Sequence, residues 1–156
     1  MKSAPEKNSE ANEPNWQRKL LYDGECPLCV KEVNFLTKKD SGQGIIKFVD
    51  ISSLDYDPQD HAGIDFATAM GRIHAILADG TVIRDVEVFR QAYKSLGMGW
   101  IYAITKIPVI GAIADWLYGV WADYRLKITG RPDLENIIAQ RQKKLNSLNS
   151  SRCRVN

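Results

Sequence analysis

Short apolar runs and amphipathic stretches alternate along the first part of the chain. Leu20–Tyr22 is a short apolar run that favours a buried strand, and Ile45–Asp50 is a β-branched run that suits a parallel strand beside it. Between them, apolar residues recur at i, i+4 and i+7 from about Cys26 to Lys39, while polar residues occupy the other side. This pattern predicts an amphipathic helix that connects two neighbouring strands.

The next stretch predicts a helix, two strands and another helix. A weaker apolar pattern indicates a helix over Ile64–Met70. Ile73–Ala78 and Thr81–Arg84 are typical of strands, and Asp79-Gly80 between them predicts a two-residue type I′ hairpin turn, because Gly accepts positive φ. Val86–Leu96 has the spacing of an amphipathic helix. The predicted order is therefore strand, helix, strand, helix, strand, strand, helix.

The C-terminal third has a different composition. Trp100–Trp121 is apolar and aromatic and is long enough to span a bilayer as one helix, but Pro108 breaks it and two charged residues lie within it. We therefore expect two helices, Gly99–Lys106 and Val109–Tyr124, which pack on the core and cover one flank of the cysteine pair described below. A peripheral membrane or partner surface is the alternative. A further amphipathic helix is predicted over about Pro132–Leu148.

Length and composition are those of one soluble domain with appendages. The chain has 156 residues and 44% hydrophobic residues, which is enough to form a core. Its formal charge of +2 is too small to indicate nucleic-acid binding. The polar N-terminus has no apolar segment that resembles a secretory signal, so we expect a cytoplasmic protein. We expect a disordered leader at 1–15, a core at 16–97, a helical extension packed on the core at 98–148 and a flexible tail at 149–156.

A pair of cysteines lies where the first strand passes into the first helix. Asp23-Gly24 predicts a turn, and Cys26 then falls at the helix N-terminus with Pro27 in the first helical position. Unpaired N–H groups and the helix dipole favour a thiolate there. Cys26 is therefore expected to be the more exposed and more acidic thiol and the attacking nucleophile, with Cys29 as the inward resolving thiol.

Asp23 has two interpretations, which do not exclude each other. A partly buried carboxylate three residues before Cys26 could relay protons to or from Cys29. Alternatively, the Asp-Gly pair only forms the turn and caps the helix. Arg72 is a second charged candidate, because its guanidinium could stabilise the thiolate. An exposed arginine at the start of a strand is the simpler interpretation.

These residues resemble a known family. Tyr22–Cys29 reads Tyr-Asp-Gly-Glu-Cys-Pro-Leu-Cys and is similar to the signature of the DCC-type thiol–disulfide oxidoreductases, named for its Asp…Cys…Cys motif. Weaker similarities follow in order at Phe48–Ser52, Arg72–His74, Ala78–Gly80, Val88-Phe89 and Tyr124–Leu126. The resemblance favours the functional role of Asp23.

The resemblance implies an α/β, thioredoxin-like fold with additional C-terminal helices. It also implies exchange of a CxxC dithiol with protein or small-thiol substrates, completed by an electron donor. Thioredoxins carry a cis-proline before the third strand that pairs with the substrate backbone, whereas Met70–Ile73 occupies that place here. No organic cofactor is implied, because the chain has no phosphate-binding glycine loop.

Two other functions fit the same residues. The CxxC pair could serve a metal- or iron–sulfur-handling module across a dimer, with Cys153, His61 and His74 as the further candidate ligands, none of them in a recognised spacing. The fold could also act as a redox-inert interaction domain whose aromatic helices form the working surface. Both alternatives stay open at this point.

Overall fold

A computed structural model describes residues 15–153, and the side chains of residues 104–106 and 153 fall outside that description. The predicted leader therefore lies outside the described residues except for Asn15, as do residues 154–156 of the predicted tail. The described part has a mixed α/β fold built on a single sheet of four strands. Two stretches of 3-10 helix, Pro58–Asp60 and Gly99–Lys106, join longer elements.

The sheet confirms the predicted parallel pairing of the first two strands. Its strands are β1 (Arg18–Tyr22), β2 (Ile46–Asp50), β3 (His74–Leu77) and β4 (Val82–Arg84). Their spatial order is β2-β1-β3-β4, with β1 parallel to β2, β3 antiparallel to β1, and β4 antiparallel to β3. The carboxyl ends of β1 and β2 therefore lie side by side, and the cysteine pair follows directly after β1.

Within residues 15–153, five α-helices accompany the sheet. They are α1 (Pro27–Asp40), α2 (Phe66–Gly71), α3 (Val86–Ser95), α4 (Pro108–Ile128) and α5 (Leu134–Cys153). Pro108 takes the first position of α4, where its missing N–H has no helical partner to lose, so the apolar stretch is divided as predicted. Helix α5 continues to Cys153, so residues 149–153, predicted as part of a flexible tail, are helical.

The hairpin between β3 and β4 differs from the prediction. Leu77 N–H donates to the Thr81 carbonyl at 2.8 Å, and Gly80 N–H donates back to the Leu77 carbonyl at 2.9 Å, which closes a three-residue turn. Gly80 has φ of 88°, whereas Asp79 keeps a negative φ. A type I′ turn needs positive φ at both central residues. The predicted two-residue turn is therefore wrong, although Gly80 does supply the positive φ.

Two apolar clusters lie on the two faces of the sheet, because neighbouring strand residues point to opposite sides. Leu21 belongs to a cluster with Ile51, Met70 and Ile137, and Ile137 comes from α5. Leu20 belongs to the other cluster. Its other buried members come from α1, β2, β3 and α3 and are Leu36, Ile46, Ala75, Val88, Ala92 and Tyr93. The C-terminal extension therefore contributes directly to the core.

The outer face of α4 is apolar and exposed. Trp116 is 67% exposed and Val109 is 70% exposed. The residues of this face, which recur at helical spacing, are Val109, Ile113, Trp116, Leu117, Val120, Tyr124 and Ile128. Among the described residues, the helices are all too short or too polar to cross a membrane.

Candidate active site

The turn before the cysteine pair is fixed between the ends of β1 and β2. Gly24 N–H donates to Asp50 Oδ1 at 2.9 Å, and the same oxygen accepts from Ser52 N–H at 2.8 Å. A Cβ atom at position 24 would collide with the Asp50 carboxylate, so the close approach requires glycine. Asp50 thus holds the loop on which the site depends.

Cys26 caps the N-terminus of α1. It has an extended backbone, with φ of −90° and ψ of 115°, and its Sγ atom accepts a hydrogen bond from Cys29 N–H at 3.4 Å. The N-cap is therefore Cys26 itself, and the alternative in which Asp23 caps the helix is wrong. Cys26 is also buried, with only 1% of the residue exposed. Cys26 and Cys29 are both free thiols, and they lie next to each other at the start of α1.

The exposure of the two cysteine residues is the reverse of the prediction. Cys26 is buried, whereas Cys29 is half-buried and lines a cavity of about 210 Å³. The expectation that Cys26 is the more exposed cysteine is therefore wrong.

The pKa values of the two thiols move in opposite directions. The pKa of Cys26 is lowered to about 6, mainly by a hydrogen bond from the Cys29 thiol and also by the Cys29 N–H and the Arg125 charge, against the opposing effect of burial. The pKa of Cys29 is raised, because its thiol donates that hydrogen bond and because it is buried beside the Cys26 thiolate. Cys26 is therefore the more acidic thiol, as the helix N-terminus suggested.

Arg125 in α4 approaches the pair from the C-terminal extension. Its Nη1 atom lies 3.7 Å from Cys29 Sγ, and its Nη2 atom donates to the Met70 carbonyl. The side chain is 7% exposed, so its charge acts on the thiols with little screening by water. Arg72, the arginine that sequence reasoning considered, instead pairs with Asp85 at 3.4 Å and is 39% exposed.

Asp23 is a buried carboxylate held by an arginine. It is 2% exposed, its Oδ2 atom pairs with Arg131 Nη1, and its Oδ1 atom accepts from Glu25 N–H at 3.1 Å. The second bond joins residues two apart and forms the turn itself. Arg131 also reaches the exposed carboxylate of Glu25 at 3.1 Å. Arg131 follows α4 in the chain, so the extension supplies a second guanidinium to the site.

Aromatic side chains from α3 and the C-terminal extension form the far wall of the cavity. The cavity is lined by Cys29, Val33, Phe89, Tyr102, Tyr118, Trp121 and Arg125, among others. Tyr118 also accepts a hydrogen bond from Ile73 N–H at 3.0 Å, and burial raises the pKa of Tyr118 to about 12. Tyr118 therefore occupies the backbone donor of Ile73, directly before β3.

Two of the other candidate ligands, His74 and His61, have contacts of their own. His74 is 6% exposed and its Nδ1 atom lies 2.8 Å from the Arg72 carbonyl, which agrees with a packed role. His61 stacks on Tyr56 with ring centroids 4.9 Å apart. The Cys153 side chain is outside the described part. Among the residues that the structure describes, no three His, Cys, Asp or Glu side chains are grouped as metal ligands would be.

Comparison with known proteins agrees with the dithiol site. Residues 20–131 match the family model of DCC1-like thiol-disulfide oxidoreductases, and the chain belongs to this family. The chain is 54% identical over 140 residues to a protein of Arabidopsis thaliana described as uncharacterized and chloroplastic. This alignment covers 89% of the chain and 65% of that relative, so the chain spans less than two thirds of its length. No solved structure matches the chain.

Proposed function

We propose that this protein is a thiol–disulfide oxidoreductase that cycles Cys26 and Cys29 between a dithiol and a disulfide. The observation that carries the proposal is the pairing of an acidic, capped sulfur with a second thiol: the pKa of Cys26 is about 6, and Cys29 is its hydrogen-bond donor. At neutral pH such a pair holds one thiolate, the species that attacks disulfides.

The exchange balances between the protein and its substrate. When the dithiol is oxidised, a substrate disulfide takes up two electrons and is released as two thiols, and Cys26 and Cys29 become bonded. The reverse reaction oxidises two substrate thiols. Stabilising the Cys26 thiolate stabilises the reduced protein and makes the couple more oxidising. Protein or small-molecule thiols are the proposed substrates, and an electron donor or acceptor of the thiol–disulfide class completes the cycle.

The proposed domain is thioredoxin-like, with the C-terminal helices as an addition. The support is the element order around the parallel β1–β2 pair and the position of the dithiol at the start of α1. Within this site we assign Asp23 a positioning role, because both of its carboxylate oxygens are engaged by Arg131 and the turn. The cytoplasmic location remains a prediction from the sequence.

A redox titration of the full chain tests the proposal. The protein is equilibrated in glutathione or dithiothreitol buffers of graded potential, and free thiols at positions 26 and 29 are counted by alkylation and mass spectrometry. We expect a reversible two-electron couple within roughly −120 to −270 mV. A Cys29→Ser variant should abolish the couple. The matched control, Cys153→Ser, should retain it.

Metal analysis of the same preparation separates the metal-handling alternative. One zinc or iron per dimer, with both thiols of the pair protected from alkylation, favours that alternative and contradicts the proposal. Freely alkylated thiols together with a reversible couple support the exchange function.

The exposed face of α4 favours a second candidate function, the binding of a partner or a membrane surface. Large exposed apolar patches mark interaction sites in soluble proteins. If this function stands alone, a Cys26→Ser, Cys29→Ser variant keeps the cellular role of the protein and a Trp116→Glu variant loses it. The opposite pattern supports the dithiol as the working group.

A further inference from the structure

Arg125 is a buried cation whose hydrogen bonds go to uncharged atoms. It is 7% exposed and lines the cavity of about 210 Å³ beside Cys29. Its Nη2 atom donates to the Met70 carbonyl, and its Nη1 atom lies 3.7 Å from Cys29 Sγ. Among the described residues, no carboxylate forms an ion pair with it. A guanidinium buried in this way favours an anion as a neighbour, because an unpaired charge in a protein interior is costly.

The two carboxylates that also line this cavity have partners of their own. Asp23 pairs with Arg131, and Glu32 accepts a hydrogen bond from the Tyr93 hydroxyl at 2.7 Å. Most of the remaining lining is aliphatic or aromatic, so water screens the charge of Arg125 only weakly. The charge balance at Arg125 therefore depends on the dithiol.

The Cys26 thiolate offsets the charge of Arg125 only while the protein is reduced. The guanidinium contributes to the low pKa of Cys26, so the two charges stabilise each other in the reduced protein. When Cys26 forms a disulfide, with Cys29 or with a substrate, its sulfur becomes neutral, whereas an arginine keeps its charge. The oxidised site therefore holds a buried cation that has lost its nearby anion.

We propose that the substrates of this site are small thiols and disulfides that carry a carboxylate, and that this carboxylate pairs with Arg125 in the cavity. This inference rests on the proposed exchange function and keeps Cys26 as the nucleophile. A guanidinium binds a carboxylate through two parallel hydrogen bonds. The cavity is far larger than the space that one water molecule needs, so it can hold a carboxylate on a short alkyl chain.

The exchange step balances with these roles. The Cys26 thiolate attacks one sulfur of the substrate disulfide, the substrate S–S bond breaks, and its electron pair leaves on the departing substrate thiolate. The half that stays bonded to Cys26 brings its carboxylate to Arg125 as the thiolate charge is lost. Cys29 then gives up its proton and attacks Cys26 Sγ, which closes the disulfide and releases the second substrate thiolate. Two electrons have passed to the substrate, and a donor of the thiol class restores the dithiol.

Disulfides that differ only in charge test the preference. The full chain with Cys29→Ser and Cys153→Ser keeps Cys26 as its single cysteine. It is equilibrated with dithiodipropionate, with the uncharged diamide of this acid, or with the cationic disulfide cystamine. Mass spectrometry gives the equilibrium constant of each mixed disulfide. Each constant is divided by the constant of the same reagent with mercaptoethanol, which removes the intrinsic chemistry of the reagent.

The normalised constant should be largest for the carboxylate. We expect it to exceed that of the amide by at least about tenfold, which is the usual strength of a hydrogen bond to a charged group expressed as an equilibrium ratio. A carboxylate constant equal to or below that of the amide, or below that of cystamine, overturns the proposal.

Arginine variants in the same background identify the group responsible. Arg125→Met should abolish the carboxylate preference, and Arg125→Lys should keep part of it, because lysine retains the charge without the planar pair of donors. Arg72→Met is the matched control: it removes an arginine that pairs with Asp85 outside the cavity lining, and the preference should persist. The carboxylate-to-amide ratio cancels any change in the pKa of Cys26, since both constants refer to the same thiol. Equal ratios in Arg125→Met and Arg72→Met contradict the assignment of Arg125.

A measurement on the unaltered protein guards against misfolded variants. The oxidised wild-type chain is reduced by mercaptopropionate, by mercaptopropionamide or by cysteamine. Each rate is corrected for the thiolate fraction of the reagent and divided by its rate with hydroxyethyl disulfide. Mercaptopropionate should react fastest, because the oxidised site holds Arg125 without the thiolate. A rate no higher than that of the amide overturns this inference but leaves the exchange function standing, whereas a chain with no reversible Cys26–Cys29 couple fails the proposed function first.

Discussion

At the scale of single residues, one sulfur both caps a helix and carries a charge. N-caps are usually oxygen acceptors from Ser, Thr, Asp or Asn, and Cys26 Sγ takes that place here. Its acceptance of the Cys29 N–H and thiol hydrogen bonds favours the thiolate, which is a stronger acceptor than a neutral thiol. Cys26 is also the more buried of the two residues, so the more acidic thiol belongs to the less exposed cysteine.

Replacing Arg125 should weaken the thiolate. Arg125→Met removes the guanidinium beside the pair, and we expect the pKa of Cys26 to rise above its value of about 6, because that charge lowers it. Arg125→Lys keeps a positive charge and should keep more of the effect. The pKa is measured from the ultraviolet absorbance of the thiolate against pH. Arg72→Met, which removes an arginine paired with Asp85, is the matched control.

The requirement for glycine at position 24 is a second residue-scale prediction. Gly24→Ala places a methyl group against the Asp50 carboxylate and should destabilise the protein by about 1–3 kcal/mol, the usual cost of overpacking a filled site. Chemical denaturation measures the free energy of unfolding. Gly71→Ala provides the control, since a Cβ there meets nothing within 4 Å, and a cost equal to that of Gly24→Ala would contradict the argument.

At the scale of elements, α4 and the loop that follows it complete a site that β1 and α1 begin. Arg125 reaches Cys29 across 96 residues of sequence, and Arg131 reaches Asp23 across 108. Tyr118 and Trp121 of the same helix wall the cavity. The C-terminal extension therefore sets the charge and the shape around the dithiol.

The two carboxylates that Arg131 contacts should differ strongly in their contribution to stability. Asp23 has a side chain 1% exposed, so Asp23→Asn leaves Arg131 without its buried partner and should cost about 3 kcal/mol or more. Glu25 is 61% exposed, and Glu25→Gln should cost less than about 1 kcal/mol. Unfolding of both variants in urea gives the comparison, and similar costs would count against a buried ion pair.

The elements were largely predictable because their signals are local. Apolar periodicity located β1, α1, β2 and α3 within a few residues, and Pro108 located the start of α4. Arg125 and Arg131 were not identified as site residues, because a sequence carries no periodic signal for a contact made across about a hundred residues. The burial of Cys26 was missed for a different reason: a helix N-terminus predicts acidity but says nothing of which neighbours cover the capping residue.

At the scale of the whole molecule, the predicted boundary at Gly97 divides residues that share one core. Ile137 of α5 packs with Leu21 and Met70, and Arg141 lies over the Phe66 ring at 4.3 Å.

A chain ended after Gly97 should therefore lose cooperative unfolding, because it exposes both the core and the dithiol. A chain ended after Leu148 is the control, and its unfolding temperature should be close to that of the full chain. Circular dichroism against temperature measures the unfolding of both. Cooperative unfolding of the shorter fragment would contradict this view.

The most direct test of the central claim is the reduction potential of the Cys26–Cys29 couple measured against pH. Below the Cys26 pKa of about 6, reduction takes up two protons with two electrons, and the potential should fall by about 59 mV per pH unit. Above it the reduced form keeps Cys26 as a thiolate and takes up one proton, so the slope should decrease to about 30 mV per pH unit. A break near pH 6 is the predicted result. A slope that stays near 59 mV up to pH 8, or the lack of any reversible couple, would contradict a thiolate-bearing exchange site.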